Sequence, residues 1–250
     1  MSTAVNRILA AQVDGWLARV GRAVCPPRCL VCREPGAAGQ DLCAACTTAL
    51  PWNRHACTRC ALPLAGEKSS PSEQAVPVCG ACLRRPPPLH AVHAAFVYAF
   101  PVDRLLPRFK FHRDLAAGRL LVQRMAEAFA PLPRPDALLP VPLHRGRLRA
   151  RGYDQALELA RPLGRRLDLP VLEDALVRQR ATVQQSRLDA RQRQRNLRGA
   201  FALSHANALP AHVALVDDVM TTGATLHAAA AALRRAGVLR VDAWVAARAP

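Results

Sequence analysis

Residues 212–227 read His212-Val213-Ala214-Leu215-Val216-Asp217-Asp218-Val219-Met220-Thr221-Thr222-Gly223-Ala224-Thr225-Leu226-His227. The apolar run 213–216 predicts a buried strand that ends on two adjacent carboxylates. A helix is expected over 224–236, closed by Gly237 as its C-cap. In an open α/β sheet, ligands bind beyond the carboxyl ends of the strands, so this junction is where chemistry is expected. The residue types suit a phosphorylated sugar. Asp217 and Asp218 can accept hydrogen bonds from vicinal ribose hydroxyls. Backbone N–H groups at the helix start, with the small side chains of Thr221, Thr222, Gly223, Ala224 and Thr225, can cradle a phosphate. A strand that merely ends in solvated carboxylates before an ordinary capped helix is the plainer alternative. It needs only one polar residue, not this whole run.

From Ala91 to the C-terminus, strand-like and helix-like segments alternate, which predicts a mostly parallel sheet flanked by helices. Residues 91–100 are β-leaning, 102–112 and 114–130 helical, and 137–141 a buried strand. Residues 154–167 place Ala156, Leu159, Ala160, Leu163 and Leu167 on one helical face, with a kink expected at Pro162. Residues 171–177 read as a further strand. Between strand 137–141 and helix 154–167 lies an arginine-rich turn containing Arg145, Arg147, Arg149 and Arg151. Guanidinium forks match phosphate oxygens, so the turn suits an anion; a basic, solvated loop is the alternative. The stretch 178–198 carries Arg178, Arg180, Arg187, Arg191, Arg193, Arg195 and Arg198 against one acid, Asp189. It reads as a flexible basic loop, suited either to closing over an anionic substrate or to gripping a nucleic-acid backbone.

Eight of the nine cysteines form four Cys-x-x-Cys pairs: Cys29 with Cys32, Cys43 with Cys46, Cys57 with Cys60, and Cys79 with Cys82. Two thiolates on one tight turn reach the same tetrahedral ion, so four pairs make two closed four-sulfur zinc sites. Sequential pairing is the simplest assignment, and an interleaved one is the alternative. A disulfide framework competes, but it belongs to small secreted domains, and the first 24 residues read as a short amphipathic helix rather than an export signal. The paired pattern leaves no open coordination position, so the zinc is expected to be structural. Cys25 reads as a bystander, and His55 and His90 as surface residues. Residues 66–77 form a Ser/Pro/Glu-rich loop, and the prolines at 86–88 a stiff spacer. The expected organisation is a helix over 1–24, a double zinc ribbon over 25–90, and an α/β domain over 91–250.

The chain holds 35 basic against 18 acidic residues, a net charge of +17. Only Lys68 and Lys110 are lysines, so codon bias explains arginine replacing lysine but not the excess, which fits an anionic partner. Aromatic residues are only 4%, too few to signal a base-stacking platform. No apolar run reaches the roughly 18 residues that would span a bilayer. A cytoplasmic location is expected.

Segment 213–225 resembles the 5-phosphoribosyl 1-pyrophosphate (PRPP) motif of the type I phosphoribosyltransferases, with every position of the usual pattern filled. That resemblance implies that Asp217 and Asp218 hold the ribose 2′ and 3′ hydroxyls, that the loop 221–225 holds the 5′-phosphate, and that magnesium accompanies PRPP. It also implies that the Arg145, Arg147, Arg149 and Arg151 turn faces pyrophosphate. The cysteine knuckles, then Phe109-Lys110-Phe111, then Arg151-Gly152-Tyr153-Asp154-Gln155, then 185–196, then the PRPP motif are similar in that order to the ComF family of competence-associated proteins. That likeness implies a double zinc ribbon fused to a type I phosphoribosyltransferase-like domain and a role with single-stranded DNA during natural transformation. Asp154 departs from the Asn frequent in the family, which puts a detail of loop hydrogen bonding in question.

Three functions follow as expectations. The first is a pentosyl transferase that displaces pyrophosphate from PRPP with an acceptor the sequence does not name; no catalytic residue is assigned, because the acceptor supplies the nucleophile. The second is a single-stranded DNA-binding factor whose PRPP site is regulatory. The third is a module whose ribbons dock proteins of the uptake machinery.

Overall fold

The computed structural model describes residues 28–37, 41–65, 77–179, 199–204 and 209–250. The expected helix over 1–24, Cys25, the loop 66–76, and Arg180, Arg187, Arg191, Arg193, Arg195 and Arg198 lie outside the described residues. The chain divides into two compact units between Leu50 and Pro51.

In the smaller unit, Cys29 N–H donates to the Glu34 carbonyl at 2.8 Å and Arg33 N–H to the Cys29 carbonyl at 2.9 Å. This turn is possible because Arg33 takes a left-handed φ of 71°. Helix α1, Ala44–Thr48, starts at Cys43, whose sulfur accepts from Cys46 N–H at 3.4 Å. The larger unit repeats the design. Cys57 N–H donates to the Leu62 carbonyl at 2.9 Å, and Ala61 N–H to the Cys57 carbonyl at 2.7 Å. Ala61 has φ 54°, and α2, Gly80–Arg84, starts at Cys79.

The core of the larger unit is a four-stranded, all-parallel sheet of β1 (Ala91–Val97), β2 (Ala137–Pro140), β5 (His212–Met220) and β6 (Arg240–Arg248), in the order β1-β6-β5-β2. β6 is central and buried along eight of its nine residues, as a parallel strand covered on both faces must be. Strand alternation sorts the side chains. Val241, Ala243 and Val245 join Val213, Leu215 and Leu139 in a core with Leu226, Ala229, Ala230 and Leu233 of α7 (Ala224–Arg235). Trp244 points to the other face, where its ring meets Phe129 of α4 (Leu115–Phe129) at 5.1 Å. Helices α3 (Val102–His112) and α6 (Gln155–Leu167) pack against α4. At the α3–α4 crossing a Cβ on Gly118 would lie 2.7 Å from the Phe109 ring, so glycine sets that approach. Strands β3 (Leu176–Arg178) and β4 (Phe201–Leu203) form a separate antiparallel pair.

Four sequence expectations gain detail here. The strand expected over 171–177 is a single bridge at Val171 followed by β3. Helix α6 runs through Pro162 and ends at Asp168, a left-handed cap. The arginine-rich turn is instead a short helix, α5 (Arg145–Arg151), because the His144 ring nitrogen accepts from Gly146 N–H at 3.2 Å and caps it. The second cysteine cluster, on the N-terminal side of the proline spacer, belongs to the larger unit. There Asn53 N–H donates to the Ala95 carbonyl at 3.0 Å, Val92 N–H donates to the Thr58 carbonyl at 2.8 Å, and Trp52 meets the Phe96 ring at 4.8 Å. Residues 51–58 thus cover the edge of β1 that β6 leaves open, and an edge strand needs such cover.

Candidate functional site

The sulfurs gather into two groups, Cys29, Cys32, Cys43 and Cys46, and Cys57, Cys60, Cys79 and Cys82, each with its ligand atoms within 4.8 Å of one another. The pairing is therefore sequential. The separations Cys32–Cys43 (3.6 Å), Cys32–Cys46 (3.7 Å) and Cys60–Cys79 (3.7 Å) match the about 3.8 Å expected between sulfurs of a tetrahedral zinc with Zn–S about 2.3 Å. Burial pushes the Cys46 and Cys82 thiols up. At Cys29 burial is outweighed by the N–H groups of Cys32, Cys43 and Val31, which bring the thiol down to about 6. At Cys79 the N–H of Cys82 brings it down to about 7 against burial. Four sulfurs this close ionise together only around a cation, so both clusters fit zinc. His55 belongs to neither group of ligand atoms; its Nδ1 lies 3.1 Å from the Leu64 carbonyl.

At the carboxyl end of the sheet lies a cleft of about 720 Å³. Strand β5 runs past the aspartates to Met220, further than the apolar run predicts, because the ladder to β6 continues as far as Met220 opposite Arg248. Asp217 and Asp218 therefore sit on rigid strand. Asp217 Oδ1 accepts from Asp218 N–H at 2.8 Å, and Asp218 Oδ1 from Val219 N–H at 2.7 Å. Gly223 opens α7 at φ 74°, and Ala224 N–H lies 3.5 Å from Thr222 Oγ1. Asp217, Asp218, Thr221 and Thr225 line the cleft together with Arg147 and Arg178.

The basic expectations divide accordingly. Arg147 and Arg178 reach the cleft; Arg145 and Arg149 are exposed and do not line it. The side chain of Arg151 lies outside the described residues. Arg178 is buried, 5.4 Å over the Phe201 ring. Burial and the nearby Arg147 charge lower its affinity for its proton, and Asp217 opposes them. Two guanidinium groups therefore line the same cleft as the carboxylates.

Lys110, within the Phe109-Lys110-Phe111 segment, places its Nζ 2.6 Å from Asp218 Oδ2. No local pattern reveals that a lone lysine near the end of α3 meets a residue 108 positions later; among its immediate sequence it is one cation of many. Asp154 answers the question raised by its family departure. Its Oδ1 accepts from Ala156 N–H (3.0 Å) and Leu157 N–H (3.3 Å), capping α6, and its Oδ2 accepts from Leu143 N–H (2.9 Å), holding the segment after β2. Both carboxylate oxygens are used as acceptors, and the amide of an Asn offers only one. Burial pushes Asp154 up against these three N–H groups.

Asp217 is pushed up to about 7, first by burial and then by the adjacent Asp218 charge, with Lys110 opposing. His227, one turn into α7, is lowered by burial and by the charge of Arg248. Its buried Nε2 makes no hydrogen bond among the described residues and would lie 3.0 Å from a Cβ at Gly223. The arrangement combines hydrogen-bond acceptors suited to hydroxyl groups, a helix start suited to an anion, and two arginines for further negative charge.

Comparison with known proteins matches a double zinc ribbon domain model to residues 20–83, which contain both cysteine clusters. The chain is 37% identical over 233 residues to the DNA utilization protein YhgH of Salmonella typhi, an alignment covering 89% of this chain and 97% of that protein. It is 36% identical over 231 residues to competence protein F of Haemophilus influenzae, with the same shares. Competence protein ComFC of Bacillus subtilis is 29% identical over 147 residues, 58% of each chain. With the cysteine clusters and the α/β sheet found in the expected order, and the Salmonella and Haemophilus relatives matched over 97% of their length, the chain belongs to the ComF family.

Proposed function

We propose that the cleft binds PRPP with magnesium and that the chain is a phosphoribosyltransferase of the type I fold. The observation that carries this reading is the adjacent Asp217 and Asp218 near the end of β5, lining one cleft with Thr221, Thr225, Arg147 and Arg178, and followed by the left-handed Gly223 that starts α7. In this reading the two aspartates accept the ribose hydroxyls, and Thr221, Thr222, Gly223, Ala224 and Thr225 surround the 5′-phosphate. Arg147 and Arg178 face the diphosphate. An acceptor nitrogen forms a bond to C1 of the ribose, the C1–O bond breaks, and its electron pair leaves with the diphosphate. Magnesium bound with PRPP offsets the charge of that leaving group. The chain's own part is orientation and fixed positive charge, which need no rearrangement as negative charge develops.

The test is thermal unfolding of the zinc-loaded protein with and without PRPP and Mg²⁺, beside the double variant Asp217→Asn/Asp218→Asn. Ligand at about 100 times its dissociation constant stabilises the native state by about 2.7 kcal/mol, a rise of about 5–10 °C for a chain this long. A rise in the wild type alone supports the site; equal behaviour of the two proteins rejects it.

The raised Asp217 gives the site a pH signature. An aspartate accepts hydroxyl hydrogen bonds best when ionised, so PRPP affinity should climb close to tenfold from about pH 6 to about pH 8. Ligand-free stability runs the other way. The native state holds the Asp217 proton more tightly than the unfolded chain, so stability falls as pH rises from 3.8 towards about 7. Calorimetric titration across this range checks both, and Asp217→Asn should remove the protein's share of the affinity slope.

The names of the relatives, competence protein F and DNA utilization protein YhgH, favour a place in DNA uptake, with single-stranded DNA and other uptake proteins as partners. The net charge of +17 supplies the attraction. Among the described residues no helix is long and apolar enough to cross a membrane. Binding through phosphate contacts must weaken with salt; single-strand affinity indifferent to salt would remove the DNA reading while leaving the PRPP reading intact.

A further inference from the structure

Arg248 ends β6 and is 9% exposed. Its guanidinium joins two places far apart in sequence. Nε donates to the Cys60 carbonyl at 2.9 Å, across 188 residues, and Nη1 donates to the Met220 carbonyl at 3.3 Å. Cys60 belongs to the second cysteine cluster. Met220 is the residue immediately before Thr221, and its methyl group packs where a Cβ on Gly223 would lie, 2.4 Å away. The Arg248 backbone is itself pinned: its carbonyl accepts from Tyr98 N–H at 2.8 Å, and the next residue, Ala249, donates to the Met220 carbonyl at 3.0 Å. The segment that holds the metal ligands and the segment that starts the anion loop therefore share one buried cation.

We infer that Arg248 is a positioning residue that couples metal in the Cys57, Cys60, Cys79, Cys82 cluster to the geometry of the loop 221–225, which makes the anion site responsive to zinc. A zinc ion with four thiolates carries a net charge of −2, so the loaded cluster is a counter-charge for a guanidinium bonded to its own backbone. The fold of the knuckle around the metal fixes the Cys60 carbonyl. With that carbonyl fixed, the guanidinium is held in one plane, and its other edge holds Met220. Hydrogen bonds donated by a buried charged group are among the stronger ones, and orphaning such a group is costly. Release of zinc frees the Cys60 end, and Arg248 then no longer holds the start of the loop. The coupling from metal to loop stands on these contacts alone; its effect on PRPP rests on the function proposed above.

The experiment is hydrogen–deuterium exchange of the full chain, read at residues 219–226, together with calorimetric PRPP–Mg²⁺ affinity, for the wild type, Arg248→Met and Arg248→Lys. Each protein is measured with two zinc ions bound and after zinc removal. In the wild type, zinc removal should speed exchange in this segment and weaken PRPP about tenfold or more. Arg248→Met with both zinc ions present should show the same fast loop and the same weakened affinity, and zinc removal should then add little at the loop. Arg248→Lys keeps the charge but not the fork, and should fall between. A general structural defect would speed exchange throughout β1 and β6 as well; the coupling predicts a change centred on the loop. Arg248→Met with wild-type loop exchange, or with an undiminished zinc effect, overturns the coupling. Loop exchange that follows zinc and Arg248 in a protein that binds no PRPP sustains the coupling and overturns the ligand reading instead.

Discussion

Stripping zinc with a chelator under reducing conditions is expected to lower the thermal midpoint by well over about 10 °C, because the structural metal supplies folding free energy on the order of 10 kcal/mol per site. The sequence of the second cluster explains the dependence. Residues 51–65 and 77–90 contribute few large apolar side chains to the core; Ala61 and Leu89 are buried, and most of the remaining burial there is the cysteines Cys57 and Cys82 themselves. The turns around Cys57 and Cys29 each force a non-glycine residue, Ala61 or Arg33, into the left-handed region, a conformation that costs about 1–2 kcal/mol. The metal offsets that strain. Cys57→Ser, which removes one fully buried ligand, should reproduce about half of the loss and halve the zinc content measured by elemental mass spectrometry from two ions per chain to one. A chelator-treated protein that melts with the untreated one would show that the thiols hold no structural metal. A mass lower by the hydrogens of paired thiols would then favour the disulfide framework.

The cysteine clusters were legible because ligand spacing is a local property: two residues between thiols dictate a turn whatever surrounds it. The sequence carries a second local signal. Arg28-Cys29-Leu30-Val31-Cys32-Arg33-Glu34-Pro35 and Ala56-Cys57-Thr58-Arg59-Cys60-Ala61-Leu62-Pro63 share the same spacing of two cysteines and a proline. Both form the same turn, bridged at Arg28 to Pro35 and at Ala56 to Pro63. The repeat announces that the second ribbon is built like the first. It cannot announce that the second ribbon lies along β1, because that depends on an open strand edge made by residues 91–97. A stiff connection such as the prolines at 86–88 separates modules in sequence without preventing the chain on either side from packing together.

The sheet shows the same division. Strand β5 and helix α7 were readable from an apolar run, a carboxylate pair and two glycines. The β3–β4 pair was not, since three-residue strands on either side of a long polar stretch carry too little periodicity to register. The short helix α5 was hidden because its sequence, Arg145 to Arg151, offers no apolar face; it is specified by a histidine cap and by the left-handed Gly152 at its end. Within the cleft, the residues legible beforehand are those whose chemistry is set by neighbours in sequence. Lys110 and Arg248 act across 108 and 188 residues, and in a chain with 35 basic side chains neither stands out until the fold brings it to its partner.

Replacing Gly223 by valine should abolish PRPP binding, with a loss of affinity beyond about 100-fold, while the protein still folds. Two separate effects act at this position. The backbone φ of 74° costs an L-residue about 1–2 kcal/mol, and more for a β-branched one. The new Cβ would also stand 2.4 Å from the Met220 methyl, 3.0 Å from His227 Nε2 and 3.1 Å from His227 Cε1. Met220 is 2% exposed, so its methyl has no solvent to swing into and the loop itself must move. Movement of about 1 Å is enough to spoil a phosphate cradle made of backbone N–H groups. Gly237 separates the two effects. It has φ 93°, and nothing lies within 4 Å of a Cβ built on it. Gly237→Ala should therefore lower stability by about 1 kcal/mol through the backbone alone and leave PRPP affinity unchanged. Calorimetric titration and thermal unfolding of both variants decide the matter. Wild-type affinity in Gly223→Val would mean that the ligand does not use this loop. Loss of affinity in Gly237→Ala as well would mean that the far end of α7, and not a local contact at its start, controls the site.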